Sequence, residues 1–290
     1  MITLRTRAEL ERIREAGRVT AEALRAVREA LRPGVSTKDL DELVREYVAS
    51  RQGILLFRNY QGFPANCCIS INDEVVHGIP RARRRLREGD VVSVDVGVKL
   101  RGYCGDSAWT FPVGTPADAA ARLLEAGERA LYRGIAECRP GRRISDIGRA
   151  IQEYVEGEGY NVVKKYVGHG IGTRLHEPPQ VPNYVDRRAL RQDPELRPGM
   201  VLAIEPMVNA GSGDVRKLDD GWTVVTADGG LSVHFEHTVA VTEGDPWILT
   251  ALEAAESAPE GRESGSSPGV GPEGGPAGRR LLSGRSDKER

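Results

Sequence analysis

The stretch RPGVSTKDLDELVREYV beginning at Arg32 returns as RPGRRISDIGRAIQEYV beginning at Arg139. The two align without gaps over 17 positions and share the Arg-Pro-Gly turn, Asp39 with Asp146, and a closing Glu-Tyr-Val. A second echo follows in the same order: REGDVVSVD from Arg87 matches RPGMVLAIE from Arg197, setting Asp95 against Glu205. Further on, Asp106 stands eight residues before Gly114, as Glu236 stands eight before Gly244. One such match is within reach of a chance helix–turn–helix. Two in order, both delivering carboxylates, point to duplication. The fold must then be two equivalent halves.

Each half reads as helix, helix, hairpin. Residues 7–31 carry a helical pattern stopped by Arg32-Pro33-Gly34. Ser36, with Asp39 three residues on, forms a capping arrangement that opens a second helix through about Ser50. Strand-like runs at 66–76 and 91–111 precede helical patterns at 117–138 and 145–157, and Val162–Leu249 is again strand-rich. This order predicts an α+β fold with antiparallel hairpins. From about residue 251 the chain turns to Gly, Pro, Ser and charge, too poor in apolar groups to offset ordering entropy. The expected division is a catalytic domain over 1–250 and a disordered tail over 251–290.

Among the 290 residues the formal charge is −1, which gives no whole-chain case for binding nucleic acid or an anionic membrane. The basic run RARRR at 81–85 reads as a solvated loop, with a contact to RNA-rich machinery the lesser alternative. No apolar run approaches the roughly 20 residues needed to span a bilayer. The charged amphipathic N-terminus is not a signal peptide. Cys67, Cys68, Cys104 and Cys138 lack paired CxxC spacing, so reduced thiols in a cytoplasmic protein are expected.

In VVSVDVGVKLRGYCGDSAWTF, residues 91–111, four valines from Val92 to Val98 alternate as on a half-buried strand. Asp95 interrupts that ladder and Asp106 follows in the returning strand. With the turn centred on Leu100-Arg101, Asp95 and Asp106 face each other directly, Cβ atoms about 5 Å apart. Like charges that close need a cation between them. A Lys or Arg is the plain answer; a metal is the sharper one, because the second half brings Glu205 and Glu236. Four converging carboxylates match two divalent ions, and oxygen-rich ligation with an imidazole suits Mn, Fe, Co or Zn. Of the five histidines, His77 and His169 lie in glycine-framed HGI segments, the glycines admitting close approach of backbone and ligand. His176 follows in the same loop as His169. For His234 and His237, flanking Glu236, a structural reading holds, with His234 at most behind the ligands.

HGIP, DVG with GDSAWTF, GHGIGTRLHEPPQVPNY, IEPMVN and DGWTVVTADGGLSVHFEHTVAVT together resemble the type I methionine aminopeptidases, from roughly residue 5 to 249. The resemblance implies the pita-bread fold, two pseudo-symmetric halves around a central antiparallel sheet. It implies hydrolytic removal of the initiator methionine from nascent chains with a small second residue, by water activated between two divalent ions. It assigns the metals to Asp95, Asp106, His169, Glu205 and Glu236, with Asp106 and Glu236 bridging. It makes His77 and His176 substrate-contacting and places Tyr60, Phe63, Cys68 and Trp222 in the methionine pocket. Two positions depart from the family: Leu175 replaces an aromatic and Phe57 a small residue, which alters the pocket's shape.

Within that frame Glu205 is expected to carry the proton from water to the leaving amine. His176 is expected to donate to the developing oxyanion, and His77 to hold or protonate the scissile nitrogen. The expected partners are nascent N-termini, with the ribosome as a further candidate, for a monomer that binds neither membrane nor nucleic acid directly. The rivals are an aminopeptidase P or prolidase, which carry a substantial domain ahead of the catalytic half, and a non-catalytic scaffold on the same fold.

Overall fold

The computed structural model describes residues 2–185 and 193–252, so the expected tail lies outside the described residues beyond Leu252. Among the described residues four α-helices form: α1 Arg7–Ala30, α2 Thr37–Ser50, α3 Asp118–Ala136 and α4 Ile144–Gly157. The expected cap of α2 is present, with the Asp39 N–H on Ser36 Oγ at 3.1 Å and the Ser36 N–H on the Asp39 carboxylate at 3.0 Å. In the second half Asp146 plays the same part, accepting the Arg143 N–H at 2.9 Å.

The internal repeat is visible in the hydrogen bonds that close each half. Gly34 donates to the Leu86 carbonyl (2.8 Å) and Leu86 to that of Val35 (2.8 Å). Gly141 donates to the Leu196 carbonyl (3.3 Å) and Leu196 to that of Arg142 (2.6 Å). Each Arg-Pro-Gly turn thus ties its helix pair to the segment leading into the strand in which, or just after which, the half's first carboxylate stands. α1 and α2 pack with Val92, Val94, Val96 and Val98 in one core, and α3 and α4 with Leu202, Ile204 and Val239 in another. Burying the helices' apolar stripes on one sheet face leaves the other face for polar groups.

The hairpin Val91–Leu100 with Tyr103–Pro112 corrects one expectation. Its turn is Arg101-Gly102, both at positive φ (49° and 91°), and Leu100 pairs with Tyr103. Two left-handed residues make the twist-matched tight turn of a two-residue hairpin, and the second position favours glycine. Asp95 therefore faces Ala108, and Asp106 faces Gly97. The two aspartates are diagonal neighbours on one face, with space between them, rather than directly opposed.

The halves join where the returning strands meet. Glu236 N–H donates to the Ala108 carbonyl (2.8 Å) and Ser107 Oγ to that of Glu236 (2.6 Å). Thr238 Oγ1 accepts the Asp106 N–H at 3.1 Å and donates to the Asp106 carbonyl at 2.8 Å. This seam sets Asp106 beside Glu236. The Arg14 guanidinium donates to the carbonyls of Leu249 and Ala251, so packing continues just past the expected boundary at 250.

A group the sequence did not flag braces the pocket side. Asp41 of α2 is fully buried and accepts from Asn66 N (2.8 Å), Asn66 Nδ2 (2.8 Å) and Cys67 N (3.2 Å), with Lys38 Nζ at 2.7 Å. Asp41→Ala would strand those donors and is expected to cost about 3 kcal/mol in a urea unfolding titration. A loss below about 1 kcal/mol would show that water replaces the carboxylate.

Candidate metal centre

Five side chains meet at the floor of one cavity of about 240 Å³. Asp95 and Asp106 come from the hairpin and His169 from the strand Gly168–Gly170. Glu205 follows the strand Val201–Ile204, and Glu236 lies between Ser232–His234 and His237–Ala240. The glycines beside His169 serve the backbone rather than a ligand. A Cβ at Gly168 would sit 2.3 Å from the Ala203 carbonyl oxygen, and one at Gly170 equally close to that of Pro178.

Asp106, His169 and Glu236 each offer a ligand atom, all within 4.8 Å of one another. His169 Nε2 stands 3.5 Å from Glu205 Oε1 and 3.8 Å from Asp106 Oδ2. Its Nδ1 lies 2.9 Å from the Gly170 carbonyl, which can only accept, so Nδ1 holds the ring proton. Burial lowers the His169 pKa to about 3, so the ring is neutral and Nε2 turns a bare lone pair toward the acids.

Three of the four acids keep an oxygen that no donor answers, although Asp106 also takes a hydrogen bond from the Ser107 backbone. Asp95 Oδ1, Asp106 Oδ1 and Glu236 Oε1 are shut off from solvent without a hydrogen-bond partner. Burial pushes Asp106 up to about 7. Asp95, Glu205 and Glu236 are driven well above the usual carboxylate range, first by burial and then by the neighbouring acids. Lone pairs facing lone pairs in a buried cluster call for cations, and this donor set suits hard or borderline divalent metals. The residues present fit such ions.

Above the cluster the wall is apolar. Cys68 pairs across strands with Asp95, and burial together with that acid raises its thiol pKa, so it is a neutral wall. Phe63 meets Trp222 edge-on at 5.2 Å, and Phe57, Leu175 and Tyr60 complete the enclosure. Phe57 fills the space over Gly97. His77 sits at φ 60°, a sparsely populated conformation for a non-glycine, with its ring edge-on to Tyr166 and Trp222. His176 has its Nδ1 2.7 Å from the Tyr60 hydroxyl and its ring edge-on to His169 at 4.3 Å.

His237 turns to the opposite side and bonds Thr250 Oγ1 at 2.8 Å. His234 does line the cavity, its Nε2 buried without a partner and 3.9 Å from Glu205 Oε2. Tyr166, Met207 and Val76 also line the cavity and were not singled out in the sequence. Tyr166 stands three residues before His169 and Met207 two after Glu205, a proximity that could have flagged both.

A buried cluster of acids and an imidazole beneath an apolar pocket, built from both halves of a doubled α+β chain, marks a metal-dependent hydrolase. The chain belongs to metallopeptidase family M24, whose model matches residues 11–243. It is 50% identical over 252 residues to methionine aminopeptidase 1 of Bacillus subtilis, covering 87% of this chain and all of that one. A solved methionine aminopeptidase from Thermotoga maritima, 42% identical, superposes with a TM-score of 0.84 over 87% of this chain and all of its own. The prolidase of Pyrococcus horikoshii, at 21% identity and a TM-score of 0.67 over 86% of this chain and 64% of that one, shares the pita-bread fold. Among the described residues no helix is long and apolar enough to cross a membrane.

Proposed function

We propose that the protein is a methionine aminopeptidase that releases the initiator methionine from nascent chains whose second residue is small, acting as a monomer in the cytoplasm. The observation that carries this reading is the cluster of acids with unpartnered buried oxygens that shares one pocket with Phe63, Cys68 and Trp222. A thioether fits a wall of aromatic faces and a neutral thiol. Asp95, Asp106, His169, Glu205 and Glu236 would hold two divalent ions, of Co, Mn, Fe or Zn. Such ions supply Lewis acidity to a carbonyl and lower the pKa of bound water toward neutrality.

The chain's own residues do the rest. Glu205, a carboxylate that bound cations would keep ionised beside the other ligands, is suited to take a proton from water and return it to the leaving amine. Burial also lowers the His176 pKa, so its ring is neutral. The Tyr60 hydroxyl can donate to Nδ1, and in that tautomer the ring proton sits on Nε2, where it can be given to the developing oxyanion. His77, lowered to about 4 by burial, is likewise neutral and can hold the scissile nitrogen. Phe63, Cys68 and Trp222 enclose the methionine side chain, and Phe57 and Leu175 narrow its entrance.

The purified protein should release methionine from Met-Ala-Ser, lose that activity on chelation and regain it with added divalent metal. Cleavage of Xaa-Pro peptides with Met-Ala-Ser untouched would instead assign it to the prolidase side of the fold. Co-sedimentation with ribosomes would test the further candidate partner.

A further inference from the structure

The turn that carries Leu175 and His176 into the cavity is held from a distance. Thr173 N (2.9 Å), Thr173 Oγ1 (3.2 Å) and Arg174 N (3.1 Å) all converge on Glu177 Oε1. Arg5 Nη2 then spans both carboxylate oxygens, at 2.9 Å to Oε1 and 2.7 Å to Oε2, with both side chains under a tenth exposed. The guanidinium lies flush on Gly172, where a Cβ would come within 2.3 Å of Nη2. Arg5 is itself fixed: its N–H donates to the Gly199 carbonyl at 2.7 Å, and Nη1 lies 3.4 Å from Glu9, the acid of the α1 capping box. A slot shaped on Gly172 and anchored at both ends is more than a buried ion pair needs, and such pairs add little net stability. What this pair does supply is a fixed orientation for the turn.

We propose that Arg5 is a positioning residue for the hydrolysis: by clamping Glu177 it fixes the 172–177 turn and so aims the imidazole of His176 at the substrate carbonyl. The inference rests on the reading that His176 donates to the oxyanion. A shift of about an ångström in such a donor costs on the order of 100-fold in rate. Arg5→Ala should therefore lower kcat about 10- to 100-fold while KM moves less than about three-fold, and Arg5→Lys should restore part of the loss.

The decisive measurement is the double variant. If Arg5 acts through His176, Arg5→Ala placed on His176→Ala should slow the enzyme no further. In the metal-free protein with ¹⁵N-labelled histidine, the His176 ring signals should shift in Arg5→Ala while those of His237 stay in place. Should Arg5→Ala fail to fold, Glu177→Gln enters the same comparison, since its amide oxygen still accepts from Thr173 and Arg174. Unchanged kcat in Arg5→Ala, or losses that multiply in the double variant, overturns the proposal. Full kcat in His176→Ala alone overturns instead the role given to His176.

Discussion

Glu236→Gln is expected to abolish methionine release, by about 1,000-fold or more, while the metal-free protein unfolds at the same temperature as wild type or higher. The two halves of this expectation have one cause. Glu236 is buried with Oε1 unpartnered, and after burial itself the charges of Asp106, Glu205 and Asp95 press its pKa upward. In the proposed ligand set it would help hold the ions, and an amide that keeps the shape but not the charge would weaken that hold. Without metal the same change removes one of four mutually repelling acids. Its backbone bonds across the seam, Glu236 N–H to the Ala108 carbonyl and the Glu236 carbonyl to Ser107 Oγ, do not depend on the side chain. Asp106→Asn should behave alike. A Met-Ala-Ser assay with metal analysis and a melting curve with chelator check both halves, and wild-type turnover in the loaded variant would sink the role of Glu236 as a metal ligand.

Much of this site could be read in the sequence because duplication writes each half twice. The Arg-Pro-Gly turns, the caps at Asp39 and Asp146, and the pairing of Asp95 with Glu205 recur at matching offsets, and the same correspondences appear as matched hydrogen bonds. What escaped was whatever depends on a turn's handedness or on contacts between distant segments. The Asp95–Asp106 register slipped by two because Arg101 and Gly102 both adopt positive φ, a choice that strand alternation does not report. Asp41 and Arg5 meet partners 25 and 172 residues away, and nothing periodic marks either. For His234 the sequence allows a place at most behind the ligands, and the fold sets its bare Nε2 3.9 Å from Glu205 Oε2.

Above about pH 6.5, where the buried neutral histidines cease to add stability with rising pH, the metal-free protein should lose stability as pH rises toward 8, against the usual trend for carboxylates. Asp106 is pushed up to about 7 by burial, against an unfolded value near 4. Asp95 is raised by burial, then by Asp106 and Glu205; Glu205 is raised by burial, then by Asp106. Between the unfolded and folded pKa values the native state binds more protons than the unfolded chain, so the unfolding free energy falls as pH increases. Stability from the protonated cluster is complete below the unfolded pKa and is lost through the folded one. For Asp106 alone this is on the order of 4 kcal/mol, roughly 10 °C in Tm for a domain of this size. Carboxylates with lowered pKa, Glu9 held by the Thr6 N–H and Asp39 by Ser36 among them, push the other way. They are the same with and without metal, so the gap in Tm between the loaded and the chelated protein isolates the cluster. Cations take the protons' place, which means loading near pH 6 must also release protons, measurable by calorimetry in buffers of different ionisation enthalpy. A Tm gap that stays flat from about pH 6.5 to 8, with no proton release, would mean that the four acids ionise independently of one another and of the metal.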